Sequence, residues 1–258
     1  MHDMSTRTIG FIAAMPEEIA SFLLLAAPLA RERTEGFTIY RGAIGGQSIC
    51  LILSGIGREN AAAATRALIA AACPDIIISF GFAGAVAPGL AVGDIVVAGR
   101  LLHHHDRLFA KQRGVAPKQA KLLAFTLAES CRDNNFHVSC GTFVTTDQVL
   151  TKQSLARQLP AGVLHPVVEM ETAAVAQVAV LAGIPLVAIR GISDGSGEEI
   201  GFDITEFTDK KMRIRLWRVL WTVLKKPWLV PQLLRLAGNA KIAGKNLAVV
   251  MPVLMENL

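Results

Sequence analysis

Short unbroken apolar runs alternate along the chain with longer stretches in which small and apolar residues recur at helical spacing. The first run, residues 8–14 (TIGFIAA), stops at Met15-Pro16-Glu17-Glu18. Proline followed by acids suits a helix start, where the ring fits the first turn and carboxylates face the positive end of the helix dipole. Residues 37–43 and 48–54, separated by Ile44-Gly45-Gly46-Gln47, predict a hairpin. An alanine-rich helix is expected over 59–72, stopped by Pro74. Residues 75–80 (DIIISF) predict a buried strand entering a small-residue turn over 81–85. A short strand over 94–98, a helix near 118–134 and a strand near 136–144 follow. Residues 165–169 lead into a helix over 171–182, and 185–192 predict a strand ending at Ser193-Asp194. From Phe202 onward the pattern is helical, with a break at 227–231.

Strands apolar on every residue need cover on both faces, so the pattern predicts an α/β fold of one domain in three layers, αβα. Residues 1–209 are expected to form the catalytic domain, and 210–258 a helical C-terminal extension of it. In such folds ligands bind beyond the carboxyl ends of the strands.

With 258 residues, 52% of them hydrophobic, a sizeable core is available and disorder is excluded. No apolar run reaches the roughly 18 to 20 residues of a membrane span. Cys50, Cys73, Cys131 and Cys140 lack CxxC spacing and predict reduced thiols of a cytoplasmic protein. Charge is segregated: ten of the 26 basic residues lie between Lys210 and Lys245, with no acid among them. The remainder carries sixteen basic against 21 acidic residues. That basic tail interleaves with Trp217, Leu220, Trp221 and Leu224, a pattern that excludes a continuous nucleic-acid face. It fits a helix packed on the body or a second subunit, or one resting on an anionic membrane surface.

Three carboxylates fall at strand ends or helix starts: Glu18, Glu171 and Asp194. Breaking a glycosidic bond passes through a cationic sugar, and carboxylates can protonate the leaving group, steady the cation or activate water. A purine leaves best when protonated at N7, and a carboxyl group buried after an apolar strand can hold such a proton. Each acid, taken alone, also fits ordinary helix capping, and spacing does not assign the roles.

Five blocks in order carry a resemblance: 9–19 (IGFIAAMPEEI), 54–64 (SGIGRENAAAA), 80–97 (FGFAGAVAPGLAVGDIVV), 168–174 (VEMETAA) and 184–194 (IPLVAIRGISD). They resemble the methylthioadenosine/S-adenosylhomocysteine nucleosidases of the nucleoside phosphorylase superfamily. The resemblance implies a central mixed, twisted sheet, a homodimer, no cofactor and an adenine nucleoside substrate with an apolar 5′ substituent. It gives Glu18 the activation of water, and Glu171 the ribose hydroxyls and sugar cation, with Met170 packed on the ribose. Asp194 would protonate N7 and bind the adenine amino group, supported by Ser193, and Arg190 would help place the water. Phosphorolytic relatives open with a glycine-aspartate-proline phosphate loop where this chain has Met15-Pro16-Glu17-Glu18. Two acids there disfavour phosphate, so hydrolysis is expected, with phosphorolysis the alternative within the class. A nucleoside-binding regulatory module without turnover is the alternative of another class, and the three acids argue against it.

The chain departs from that family at the base. Asp147-Gln148-Val149-Leu150 stands where an aromatic residue flanks adenine, and Phe82 where a serine stands. Phe82, Val149 and Leu150 are thus expected to line the pocket without a ring stacked on the purine. Residues 79–85 (SFGFAGA) and the tail 214–236 are also similar to the hopanoid-associated branch of the superfamily, which implies a lipid-linked nucleoside. His103-His104-His105 predicts no metal site, because adjacent side chains of a strand point to opposite faces.

Overall fold

The computed structural model describes residues 7–25, 29–34, 36–198 and 226–258. Trp217, Trp221 and most of the basic tail lie outside the described residues.

The first strand, β1 (Thr8–Ala13), is followed by helix α1 (Pro16–Leu23), an edge strand β2 (Ala30–Thr34) and the hairpin β3 (Phe37–Ile44) and β4 (Gln47–Leu53). Helix α2 (Arg58–Ala72) ends at Cys73 in the left-handed conformation before Pro74, and β5 (Ile76–Ala85) follows. Then come β6 (Ile95–His105), β7 (Leu108–Gln112), α3 (Pro117–Ser130), β8 (Val138–Thr146) and α4 (Lys152–Gln158). The remainder is β9 (Pro166–Glu169), α5 (Thr172–Leu181), β10 (Leu186–Asp194), one 3₁₀ turn (Pro227–Leu229) and α6 (Val230–Glu256).

The sheet is mixed. Its open half runs β5-β1-β4-β3-β2. Its other half closes on itself, because β5 pairs with β10, β10 with β6, β6 with β8, β8 with β9, and β9 again with β5. Apolar layers cover both faces. On one, Ile19 and Phe22 of α1, Leu123 and Leu127 of α3, and Leu247, Val250, Met251 and Leu254 of α6 form a buried cluster. Phe11, Phe22 and Phe80 meet within it at centroid distances of 4.9 to 5.7 Å. On the other face, Ala61, Ala64 and Leu68 of α2 meet Ala174, Val175 and Ala179 of α5. Small side chains let these two helices lie close, and their helical spacing marks the buried face. The described part of the C-terminal extension, α6, thus contributes to the core itself. Among the described residues no helix is long and apolar enough to cross a membrane.

The expected turn at 81–85 is instead the second half of β5. Its glycines answer to crowding by the acids of the site and not to chain reversal, and its alanines Ala83 and Ala85 belong to the buried core. Strand β6 also runs seven residues past the expected end at Ala98, through an irregularity between Ala98 and Arg100. Strands β2 and β7 have no counterpart in the hydrophobic pattern, because both are short edges with mostly exposed residues and so carry little apolar signal.

Candidate active site

Strand β5 organises the site. Beside it β1 runs out at Ser79, and β9 begins only at Gly84. In the gap the Phe82 N–H donates to Glu18 Oε1 at 3.0 Å. The other oxygen of Glu18 accepts from the N–H groups of Ala14 (2.7 Å) and Met15 (2.9 Å), at the junction of β1 and α1. The MPEE turn thus aims this acid back at the strand ends, and Glu18 is buried. Burial raises its proton affinity above that of an ordinary glutamate, against the opposing pull of Arg190 and the three N–H bonds.

Glu171 stands at the junction of β9 and α5 and accepts from the Gly57 N–H at 2.8 Å. Its pKa is pushed up to about 8, first by burial and then by the negative charges of Glu169 and Glu18. The Gly57 N–H and Arg190 offset part of this. Two adjacent acids with raised proton affinity suit general acid–base work near neutrality.

Asp194 ends β10, buried, with Oδ1 accepting from Ser193 Oγ at 2.6 Å. Its Oδ2 is paired with the Lys152 ammonium, a partner that local sequence could not show. A β-carbon on Gly84 would stand 2.6 Å from Asp194 Oδ2, so any other residue there would displace that carboxylate. The same holds at Gly81, where a β-carbon would stand 2.7 Å from Glu18 Cδ. The two glycines, three residues apart on one strand, make room for two of the three expected acids.

Arg190 is buried in a network of its own. It pairs with Glu169 at 3.1 Å, donates to Thr172 Oγ1 at 2.8 Å and Ser79 Oγ at 3.1 Å, and lies over the Phe143 ring. Glu169 accepts in addition from Thr145 Oγ1 and from the N–H groups of Glu171 and Thr172. The first glutamate of VEME therefore anchors Arg190 and the start of α5, while the second takes no part in that pair and accepts from the Gly57 N–H. Glu169 and Lys152 are the two residues of the site that sequence reasoning missed.

Met170 is half-buried between the two glutamates. The Phe82 ring packs toward α6, 3.5 Å from where a β-carbon on Gly244 would stand. Val149 and Leu150 lie on the loop between β8 and α4; Val149 is exposed, and Leu150 packs on Val144 and Leu155. On the same loop Asp147 meets His103 (3.2 Å), His105 (2.7 Å) and Arg58 (3.0 Å). Burial opposes its charge, but hydrogen bonds from His105, Arg58 and His103 bring its pKa down to about 2. His104 turns to the other face, toward Gln158 and Phe109, as strand alternation requires. His103, His105 and Asp147 are the described residues that could hold a metal ion, and Arg58 already supplies a cation to that carboxylate.

Residues 8–225 match the family model of the phosphorylase superfamily. A 5′-methylthioadenosine/S-adenosylhomocysteine nucleosidase of Haemophilus influenzae (strain 86-028NP) is 33% identical over 208 residues, covering 77% of this chain and 90% of the relative. The nucleosidase of the same name from Listeria welshimeri is 34% identical over 215 residues, covering 78% and 91%. Among solved structures, the S-adenosylhomocysteine nucleosidase of Streptococcus pyogenes in complex with 5-methylthiotubericidin superposes with a TM-score of 0.73 at 25% identity, covering 99% of both chains. The Neisseria meningitidis nucleosidase in complex with methylthio-immucillin-A has the same fold, with a TM-score of 0.73 at 23% identity, covering 98% of this chain and all of that one. The chain belongs to the phosphorylase superfamily, in the family of the 5′-methylthioadenosine/S-adenosylhomocysteine nucleosidases.

Proposed function

We propose that the protein hydrolyses the N-glycosidic bond of an adenine nucleoside carrying an apolar 5′ substituent and releases adenine. The observation that carries this reading is the placement of Glu18. Its carboxylate takes up the three N–H groups of Ala14, Met15 and Phe82 that would otherwise form an anion cradle at the start of α1. An incoming phosphate would meet a negative charge there, whereas water would meet a buried base. In this reading Glu18 takes the proton from water and Glu171 stabilises the sugar cation through its hydroxyls, with Met170 against the ribose. Asp194, oriented by Ser193, delivers the proton to N7. Arg190, held by Glu169, sets the field at Glu18 and Glu171. Val149 borders the base from the loop between β8 and α4, while Phe82 packs toward α6 and Leu150 toward Val144 and Leu155.

In the same reading, residues 1–209 form the catalytic domain, extended by 210–258. Two copies associate as a homodimer through the rim where Leu108 and Val149 are exposed. The basic tail touches an anionic membrane face from the cytoplasmic side, a reading supported by the exposed Trp228 and Leu234 at its described end. Co-sedimentation with anionic vesicles at low salt, lost at high salt, is the expected signature of that contact; its absence at low salt would contradict it.

Adenine release from methylthioadenosine tests the catalytic reading. Asp194→Asn is expected to cut turnover by roughly 10²- to 10⁴-fold, the range for loss of a general acid. Near-normal release by that variant would mean that another group protonates the base.

A further inference from the structure

Lys152 opens α4, a helix whose Gln153, Ser154 and Arg157 are exposed, yet Lys152 itself is 4% exposed. An ammonium is kept in such a place only when charge and hydrogen bonds replace its water. Here the ammonium touches Asp194 Oδ2 and donates to the carbonyl oxygens of Gly195 at 2.6 Å and Asp194 at 3.3 Å. Strand β5 is shaped around the pair: a β-carbon on Gly84 would stand 2.9 Å from Lys152 Cε as well as against the Asp194 carboxylate. Nothing in the proposed hydrolysis uses this lysine.

Its position has a consequence for the base. In the nucleosidase reading, Asp194 faces N7 of the leaving purine. On a purine, N7 and the substituent on C6 share one edge, so with Ser193 on one Asp194 oxygen and Lys152 on the other, a base set with position 6 toward Oδ2 brings Lys152 beside it. Lysine only donates. Adenine offers donors at position 6, whereas a 6-oxopurine offers a carbonyl oxygen that accepts. The contact to the Asp194 carbonyl, at 3.3 Å, is long beside the 2.6 Å contact to Gly195, and it is the one that a base oxygen would replace.

We propose that Lys152 is a specificity-determining residue that extends this site to 6-oxopurine nucleosides, its ammonium donating to O6 while Asp194 serves N7. The inference rests on the nucleosidase reading, and the test separates the two. Initial rates of base release are compared for 5′-methylthioadenosine and 5′-methylthioinosine, which differ at position 6 and in the hydrogen that the 6-oxo base carries on N1. The wild-type protein is expected to favour the adenine substrate by no more than about 100-fold. A site that reads only the amino group would discriminate by roughly 10⁴-fold or more, leaving buried groups unpaired. In Lys152→Met the inosine-to-adenosine ratio of kcat/KM should fall by roughly 10- to 100-fold, the worth of one charge-assisted hydrogen bond. Lys152→Arg, which keeps the charge and its donors, should recover part of that ratio. Calorimetric binding of free hypoxanthine and adenine repeats the comparison without turnover, on variants shown to be folded by their urea transitions. A wild-type preference for adenine of 10⁴-fold or more, or an unchanged base preference in folded Lys152→Met, overturns the proposal. Cleavage of neither nucleoside overturns the nucleosidase reading instead, and the binding of the two free bases then decides the role of Lys152.

Discussion

The carboxylate of Glu18 occupies the space that a β-carbon on Gly81 would need, with Glu18 Cδ 2.7 Å from that point. Gly81→Ala is therefore a remote-looking change that strikes Glu18, the proposed water-activating base, directly. The added methyl group would push Glu18 off the Phe82 N–H, and a displacement of about 1 Å can cost 10²-fold in rate. Turnover is expected to fall by about that factor, with inhibitor binding retained. A fully active Gly81→Ala variant would show that the position of Glu18 does not matter.

Arg190 and Glu169 form a buried pair at 3.1 Å, within hydrogen-bond reach of Thr172, Thr145 and Ser79. Removing one partner strands the other charge, at a cost of about 3 to 5 kcal/mol. Arg190→Met should lower the unfolding free energy by that amount in urea. A loss under about 1 kcal/mol would mean that solvent reaches Glu169.

Both members of that pair stand in prominent sequence blocks, and only one could be read. VEME holds two glutamates, and the resemblance pointed to Glu171, but spacing does not reveal which acid an arginine 21 residues later will meet. Lys152 was hidden for the same reason, since its partner Asp194 lies 42 residues on and Lys152 itself stands in no local pattern. The strands and long helices were legible because they are buried continuously or on a helical stripe. The small-residue stretch at 81–85 misled, because glycine reports both chain reversal and close approach, and at Gly81 and Gly84 it reports the approach of carboxylates.

Glu171 links stability to pH. Its folded pKa of about 8 lies well above the value near 4.3 of an unfolded glutamate. The native state therefore holds this proton more tightly than the unfolded chain. The contribution is complete below the unfolded value and is lost as pH rises through the folded one. Glu18, also raised, adds in the same direction. Unfolding free energy should decline from pH 5 to pH 8 by an amount on the order of a few kcal/mol, and Glu171→Gln should flatten the decline. A variant with the same slope as the wild-type protein would place the titration elsewhere.

In the proposed mechanism the nucleophile is water, activated by Glu18. The most direct measurement is the fate of the sugar during adenine release from methylthioadenosine, followed with and without inorganic phosphate. Hydrolysis predicts the free 5-methylthioribose in both cases, a rate independent of phosphate, and loss of that rate in Glu18→Gln with adenine still bound. A phosphate-dependent rate yielding the sugar 1-phosphate would contradict the account.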